Sequence, residues 1–100
     1  MAMNEFMDDV NLHGAHSDEF LKLIPSQRLI VNDLMFEGKI TSYCVNMDRS
    51  KLWITMIGKN ENEILDLLAK FPLINFMDCE VSALLFHNSA QQVYSHISLN

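Results

Sequence analysis

Hydrophobic and polar residues alternate along the first part of the chain, over residues 3–12. Phe6, Val10 and Leu12 fall on one side of an extended backbone, and Asp8 falls on the same side. A period of two residues is typical of a strand with one buried face. The pattern therefore predicts a first strand over these residues, followed by a short turn that begins at His13.

The period then changes to that of a helix. Ser17 is a favourable N-cap, and two acidic residues follow it in the first turn, where the helix dipole favours them. An apolar stripe runs from Phe20 to Met35. Pro25 interrupts it, because proline lacks the backbone N–H and clashes with the preceding turn, so we expect a kink or a fresh helix start there. Gly38 is predicted to end the helix as a left-handed C′ residue.

Two further strands are predicted over residues 40–47 and 52–57, joined by a short polar connection that makes them a hairpin. A second helix begins near Asn60, which forms a capping-box pattern with Glu63. Pro72 stops this helix. A fourth strand is predicted over residues 77–86.

The predicted order is therefore β-α-β-β-α-β. Right-handed crossovers turn this order into an α+β, ferredoxin-like unit, with one antiparallel sheet of order 4-1-3-2 and both helices on one face. We interpret residues 1–87 as this domain and residues 88–100 as a C-terminal tail, a possible oligomer contact.

The third and fourth strands carry apolar residues at successive positions, so both of their faces are predicted to be covered. Examples are Trp53 beside Ile54 in the third strand, and Leu84 to Phe86 in the fourth. The helices can cover only one face of the sheet. A second subunit's sheet is the natural cover for the other, which predicts a homodimer or higher homo-oligomer built as a dimeric α+β barrel.

Composition narrows the function. The 100 residues suit one domain, and about half of them are hydrophobic, which suggests a partner surface or an apolar pocket. The net charge is −6 and the basic residues are scattered, so we expect no nucleic-acid partner and no anionic membrane surface. The N-terminus does not resemble a signal peptide and no stretch is long enough to span a bilayer, so a cytoplasmic setting is expected.

The chain lacks the motifs of common cofactors. No Gly-rich phosphate loop, nucleophile elbow or paired-cysteine motif is present in the sequence. ATP, NAD and iron–sulfur clusters are therefore not expected, and no cofactor is predicted. Cys44 and Cys79 lie on what should be opposite edge strands. They are therefore predicted to be unpaired thiols.

Several segments resemble muconolactone isomerase and its relatives among the dimeric α+β barrel proteins. They are Glu37-Gly38-Lys39, the long segment from Phe71 to Leu84, and His87 followed by Ser89. The resemblance runs from Glu37 to His87, about half the chain, with almost no gaps. It implies the same fold and, as an expectation, the isomerisation of a small lactone. One departure is the second strand, uncharged from Thr41 to Asn46, where the family would have basic and aromatic residues.

Two residues are candidates for moving a proton. Asp78 begins the fourth strand at the sheet end where His13 closes the neighbouring first strand, and a His beside a carboxylate can act as a general base. The alternative is that Asp78 is an ordinary turn cap. His13 and His16 lie near Asp18, but too few ligands converge there for a metal ion, so no metal site is predicted.

Two further residues are candidates for binding a ligand. Arg28 lies in the middle of the first helix and could hold an anion bidentately, or it could simply be solvated with its stem packed on the surface. Tyr43 could donate a hydrogen bond to a carbonyl, or it could be a partly buried aromatic.

Two functional hypotheses follow. The first is a cofactor-free, muconolactone isomerase-like protein that binds a small, partly apolar, carboxylated or lactone compound and, as an isomerase, moves a proton. The second is a non-catalytic oligomeric module without a ligand. The first predicts a pocket with converging polar groups, and the second predicts that Met and Phe fill the same space.

Overall fold

The computed structural model describes residues 3–90, and its elements follow the predicted order. The strands are β1 (Asn4–Leu12), β2 (Ile40–Val45), β3 (Lys51–Gly58) and β4 (Met77–Ala83). The helices are α1 (Asp18–Phe36) and α2 (Glu61–Leu68), and a single 3₁₀ turn (Ile74–Phe76) precedes β4.

The four strands form one antiparallel sheet in the order β2-β3-β1-β4, as predicted. Buried residues of both helices join one hydrophobic core with the same face of β1 and β3. Helix α1 contacts β2, while α2 contacts β3 and β4, the two neighbours of β1. The ferredoxin-like α+β arrangement is therefore confirmed.

Helix α1 is a single helix of 19 residues, so of the two alternatives expected at Pro25, a kink or a fresh start, the fresh start is wrong. Ser17 caps the helix by accepting a hydrogen bond from the Phe20 N–H. Pro25 lies on the exposed side of the helix. Phe20 and Val31 are buried on either side of it, so the helix packs on the core both before and after the proline.

Helix α1 ends as the sequence predicts. Gly38 has φ of +78°, in the left-handed region. The Gly38 N–H donates to Met35 O and the Lys39 N–H donates to Leu34 O, which is the Schellman pattern. Helix α2 begins with Asn60 accepting from the Glu63 N–H, so the predicted cap is confirmed. The Glu63 carboxylate accepts from the Lys59 N–H rather than from Asn60.

The two faces of the sheet differ more than the sequence pattern suggested. Trp53 and Ile57 do lie on the face that the helices leave open. Strand β4, however, ends at Ala83, so Leu85 and Phe86 lie beyond the sheet and are 96% and 72% exposed. The expectation of a covered, apolar face is therefore wrong for β4, whose residues on that face are polar: Asp78, Glu80 and Ser82.

The cysteines are free, as predicted. Cys44 lies in β2 and Cys79 in β4, the two edge strands, with β3 and β1 between them. The expected tail contact falls mainly on residues 91–100, which lie outside the described residues.

Candidate functional site

A cavity of about 250 Å³ opens between helix α1 and the β2–β3 end of the sheet. Most of its wall is apolar, and the apolar side chains come from α1, from β1, β2 and β3 and from the segment after α2: Leu12, Phe20, Ile24, Val45, Leu52 and Leu73. A largely apolar wall with few polar groups is the usual character of a small-molecule site.

Two of the polar groups in this wall are connected to each other. Gln27 is only 4% exposed, although it is polar and lies in the middle of α1. Its side-chain N–H donates to the Tyr43 hydroxyl at 3.2 Å, and its carbonyl oxygen accepts from the Leu73 N–H at 3.2 Å. Gln27 therefore links α1, β2 and the segment after α2, and it fixes where the Tyr43 hydroxyl lies.

The Tyr43 hydroxyl keeps its proton at neutral pH. Burial raises the pKa of Tyr43, and the hydrogen bond from Gln27 opposes that shift without outweighing it. Because the oxygen already accepts from Gln27, its own proton is the part left to donate. Tyr43 is thus suited to donate a hydrogen bond to a carbonyl or carboxylate oxygen in the cavity.

The chain has only two arginines, and both line this cavity. Arg28 comes from α1 and Arg49 from the β2–β3 turn. Among the described residues neither guanidinium forms an ion pair with a carboxylate. Arg49 is also the one non-glycine residue of the described chain with positive φ, at 60°. Two unpaired guanidinium groups at an apolar cavity favour an anionic ligand.

A second cavity, of about 320 Å³, adjoins the first along α1. It shares Gln27, Arg28, Tyr43 and Val45 with the first cavity and continues toward Asn32. The two cavities therefore form one groove between α1 and the edge strand β2, with Arg28 and Tyr43 in its shared part. The two predicted ligand-binding residues are brought together at this groove.

The predicted proton-transfer pair lies elsewhere. His13 Nε2 and Asp78 Oδ2 are 3.7 Å apart, as expected from the pairing of β1 with β4. Both side chains are largely exposed, at 55% and 74%. Neither lines the two cavities of the groove. The structure thus brings His13 and Asp78 to each other but not to Arg28 and Tyr43, and their catalytic role stays a prediction.

Metal binding finds no support in residues 3–90, where no three His, Cys, Asp or Glu side chains lie close enough to share an ion. His13, His16 and Asp18 were considered from the sequence and set aside, and nothing in this part of the chain revises that prediction.

Sequence reasoning missed three polar residues: Gln27, Arg49 and Asp8. Asp8 is fully buried on the helix-facing side of β1, and neither of its carboxylate oxygens has a hydrogen-bond partner in the part of the chain that the structure describes. Burial raises the pKa of Asp8 to about 7. A signal was present in the sequence, since Asp8 shares its face with Phe6, Val10 and Leu12. Gln27 gave a comparable signal, since it lies in the helical stripe of Phe20, Ile24, Val31 and Leu34, whose members recur every three or four residues.

The fold and the groove together define an α+β domain with a largely apolar groove between one helix and an edge strand. The chain matches no known protein family, and a search among curated proteins found no match. Over residues 3–90, neither helix combines the length and the apolar character that a membrane crossing requires.

Proposed function

We propose that this protein binds a small, partly apolar carboxylate or lactone in the groove between α1 and β2. The observation that carries the proposal is that both arginines of the chain line an apolar cavity without a carboxylate partner in the described part of the chain. The alternative, an oligomeric module without a ligand, predicted a space filled by Met and Phe. The open cavity favours ligand binding over that alternative.

Arg28, Tyr43 and the apolar wall have different roles in the proposed complex. Arg28 holds the anionic group, because a guanidinium can donate two parallel hydrogen bonds to a carboxylate. The Tyr43 hydroxyl donates to a second oxygen of the ligand. The apolar wall receives the carbon skeleton, and burial of each large apolar group adds roughly 1.5–3 kcal/mol.

The proposed reaction is a cofactor-free isomerisation by proton transfer, as the resemblance to muconolactone isomerase implies. His13 and Asp78 are the proposed proton carriers, supported by their 3.7 Å separation. Because neither residue lines the groove, ligand binding and catalysis are tested separately. A cytoplasmic setting belongs to the same proposal, supported by the two free cysteines.

Benzoate, a small aromatic carboxylate, is a suitable probe, with benzyl alcohol as its uncharged counterpart. We expect benzoate to shift the amide NMR signals of α1 and β2 and to bind more tightly than benzyl alcohol. Loss of a charge-assisted hydrogen bond in Arg28→Met should weaken benzoate binding by about tenfold or more. Lys22→Met is the matched control, since Lys22 is an exposed cation on the same helix that does not line the groove.

Equal binding of benzoate and benzyl alcohol, with Arg28→Met unchanged, would contradict an anion site. Absence of any binding at the groove would favour the non-catalytic module instead. For catalysis, a collection of small unsaturated lactones is offered to wild type and His13→Gln. Turnover that His13→Gln abolishes supports the proposed proton carrier, and turnover that survives in full contradicts it.

We also propose that the protein self-associates through the open face of the sheet. Support comes from Met7, Trp53 and Ile57, which lie together on that face, with Trp53 37% exposed. Sedimentation velocity at micromolar concentration should show a dimer, and Trp53→Glu should shift it to a monomer. Leu29→Glu is the control, because Leu29 is exposed on α1. A wild-type monomer would refute this part of the proposal and leave the ligand site untouched.

A further inference from the structure

One buried titratable group, Asp8, belongs neither to the groove nor to the His13–Asp78 pair. Asp8 lies in the central part of β1, directly opposite Ile54 of β3 and Val81 of β4. Its side chain shares the helix-facing side of the sheet with Phe6 and Val10, and its exposure is 0%. A charged residue that is this deeply buried is almost always paired.

Asp8 has no such pairing within residues 3–90. Both carboxylate oxygens are buried, and neither accepts a hydrogen bond from a described residue. No lysine, arginine or histidine forms an ion pair with it in the described part of the chain. An ionised carboxylate in an apolar interior costs several kcal/mol, so a group in this position normally binds a proton instead.

The groups that face Asp8 from the surrounding elements do not relieve this cost. From β4 the titratable neighbour is Cys79, whose pKa is raised by burial and then by the charges of Asp8 and Asp78. From β2 it is Tyr43, which lies beyond Ile54 in the same cross-strand row. The buried residues of β3, α1 and α2 include no titratable side chain. Arg28 and Arg49 lie at the groove.

Helix α2 packs over the part of the sheet that contains β1. It contacts β3 and β4, the strands on either side of β1, on the face that carries Asp8. Its buried side chains are Ile64, Leu67 and Leu68, which are apolar and can donate no hydrogen bond to a carboxylate. A charge on Asp8 is therefore expected to act against the packing of α2.

We propose that Asp8 is a proton-binding site that makes the packing of α2 on the sheet depend on pH. With the proton bound, α2 stays docked and the core stays closed. When the proton leaves, water must reach the carboxylate and α2 must loosen. The proposal does not depend on the groove or on its ligand.

The direction of the pH dependence follows from the two states of the chain. Burial raises the pKa of Asp8 from 3.8 to about 7 in the folded state, so the folded state binds the proton more tightly. The stabilisation that comes from binding this proton is complete at pH values below the pKa of Asp8 in the unfolded chain. It is lost as the pH rises through the pKa of Asp8 in the folded state. The largest change is therefore expected between about pH 4 and pH 7.

Carbon-13 NMR titration of the side-chain carboxyl groups in the wild-type protein tests the proton site directly. We expect a midpoint near 7 for Asp8. Denaturant unfolding then tests its consequence against Asp8→Asn, which keeps the shape and removes the charge. Relative to that variant, the ratio of folded to unfolded wild type should fall about tenfold between pH 6 and pH 8. Asp9→Asn is the control, since Asp9 is the exposed next residue on the opposite face of β1.

A midpoint below about 5 for Asp8 would overturn the proposal, because the carboxyl would then have the ordinary affinity of an aspartate. That measurement uses the wild type alone, so it decides even where Asp8→Asn fails to fold. Hydrogen exchange tests the role of α2. After correction for intrinsic rates, α2 amides should lose protection between pH 6 and pH 8 more than α1 amides, and equal losses would overturn the assignment to α2.

Discussion

Helix α1 with β2 forms one half of the molecule, and helix α2 with the strands β3, β1 and β4 forms the other. The two halves bury polar groups in opposite ways. Under α1, Gln27 is buried with a partner on each side, and this half opens into a groove. In the α2 half, Asp8 on β1 is fully buried, and neither of its carboxylate oxygens has a hydrogen-bond partner among residues 3–90. Both groups lie on the same side of the same sheet, so the difference comes from the local packing.

This difference indicates different uses of buried polarity. A satisfied polar group, such as Gln27, stabilises one arrangement and holds Tyr43 where a ligand can reach it. An unsatisfied group, such as Asp8, lowers stability in its charged form and makes the packing sensitive to protons. Four measurements on variants can test this contrast.

The largest expected effect is a difference in sign between Asp8→Val and Gln27→Met at pH 8. Removing the buried charge should raise the free energy of unfolding by on the order of 4 kcal/mol, at 1.36 kcal/mol per pKa unit. Removing Gln27 should lower it by about 1–3 kcal/mol, because the Leu73 N–H then lacks an acceptor. Urea unfolding followed by Trp53 fluorescence measures both. Two changes of the same sign would remove the contrast.

The second prediction compares one isoleucine from each helix. Ile64 of α2 is fully buried, and Ile24 of α1 is half-buried at the groove. Ile64→Ala should cost about 3 kcal/mol, since it leaves a cavity in a closed core. Ile24→Ala should cost about 1 kcal/mol, because solvent can fill the space. Equal losses in chemical denaturation would show that the α1 half is packed as tightly as the α2 half.

The third prediction compares two glycines with different constraints. A Cβ at Gly58 would lie 2.9 Å from Ile64 Cδ1, so Gly58→Ala should cost about 2 kcal/mol by overpacking. A Cβ at Gly38 meets no atom within 4 Å, so only its positive φ opposes a side chain, and Gly38→Ala should cost about 1 kcal/mol. The melting temperatures of both variants show which substitution costs more stability. A larger loss for Gly38→Ala than for Gly58→Ala would contradict the prediction.

The smallest effect is expected at the exposed surface. Exposed ion pairs contribute little, so Asp78→Asn should change the free energy of unfolding by less than about 0.5 kcal/mol. Asp48→Asn, in the β2–β3 turn, serves as a comparison at another exposed carboxylate. A loss of several kcal/mol for Asp78→Asn in urea denaturation would reveal a structural task that the packing of neither half accounts for.

Part of the candidate site could be predicted from sequence. Arg28 was predicted because it falls in the middle of the first helix, in a run that is otherwise uncharged, and Tyr43 because its hydroxyl could donate a hydrogen bond to a carbonyl. Their meeting in one groove depends on α1 lying against β2, which no local pattern specifies. Gln27 and Arg49 were missed for the same reason: they gain partners or a cavity only after distant segments come together.

The order of elements, the antiparallel sheet, the caps at Ser17, Asn60 and Gly38 and the free cysteines were determined by the sequence alone. These features depend on local backbone preferences and on the period of the apolar residues, which act over a few neighbouring positions. The alternation of β1 also assigned Asp8 to the apolar face.

Tertiary structure decided the rest: an unbroken α1 through Pro25, a β4 that ends before Leu85, the groove beside β2, and the buried Asp8 carboxylate without a partner among the described residues. The physical reason is that burial and hydrogen-bond satisfaction belong to a position in space. They depend on which side chains arrive there from far along the chain, whereas periodicity describes only the face on which a residue lies.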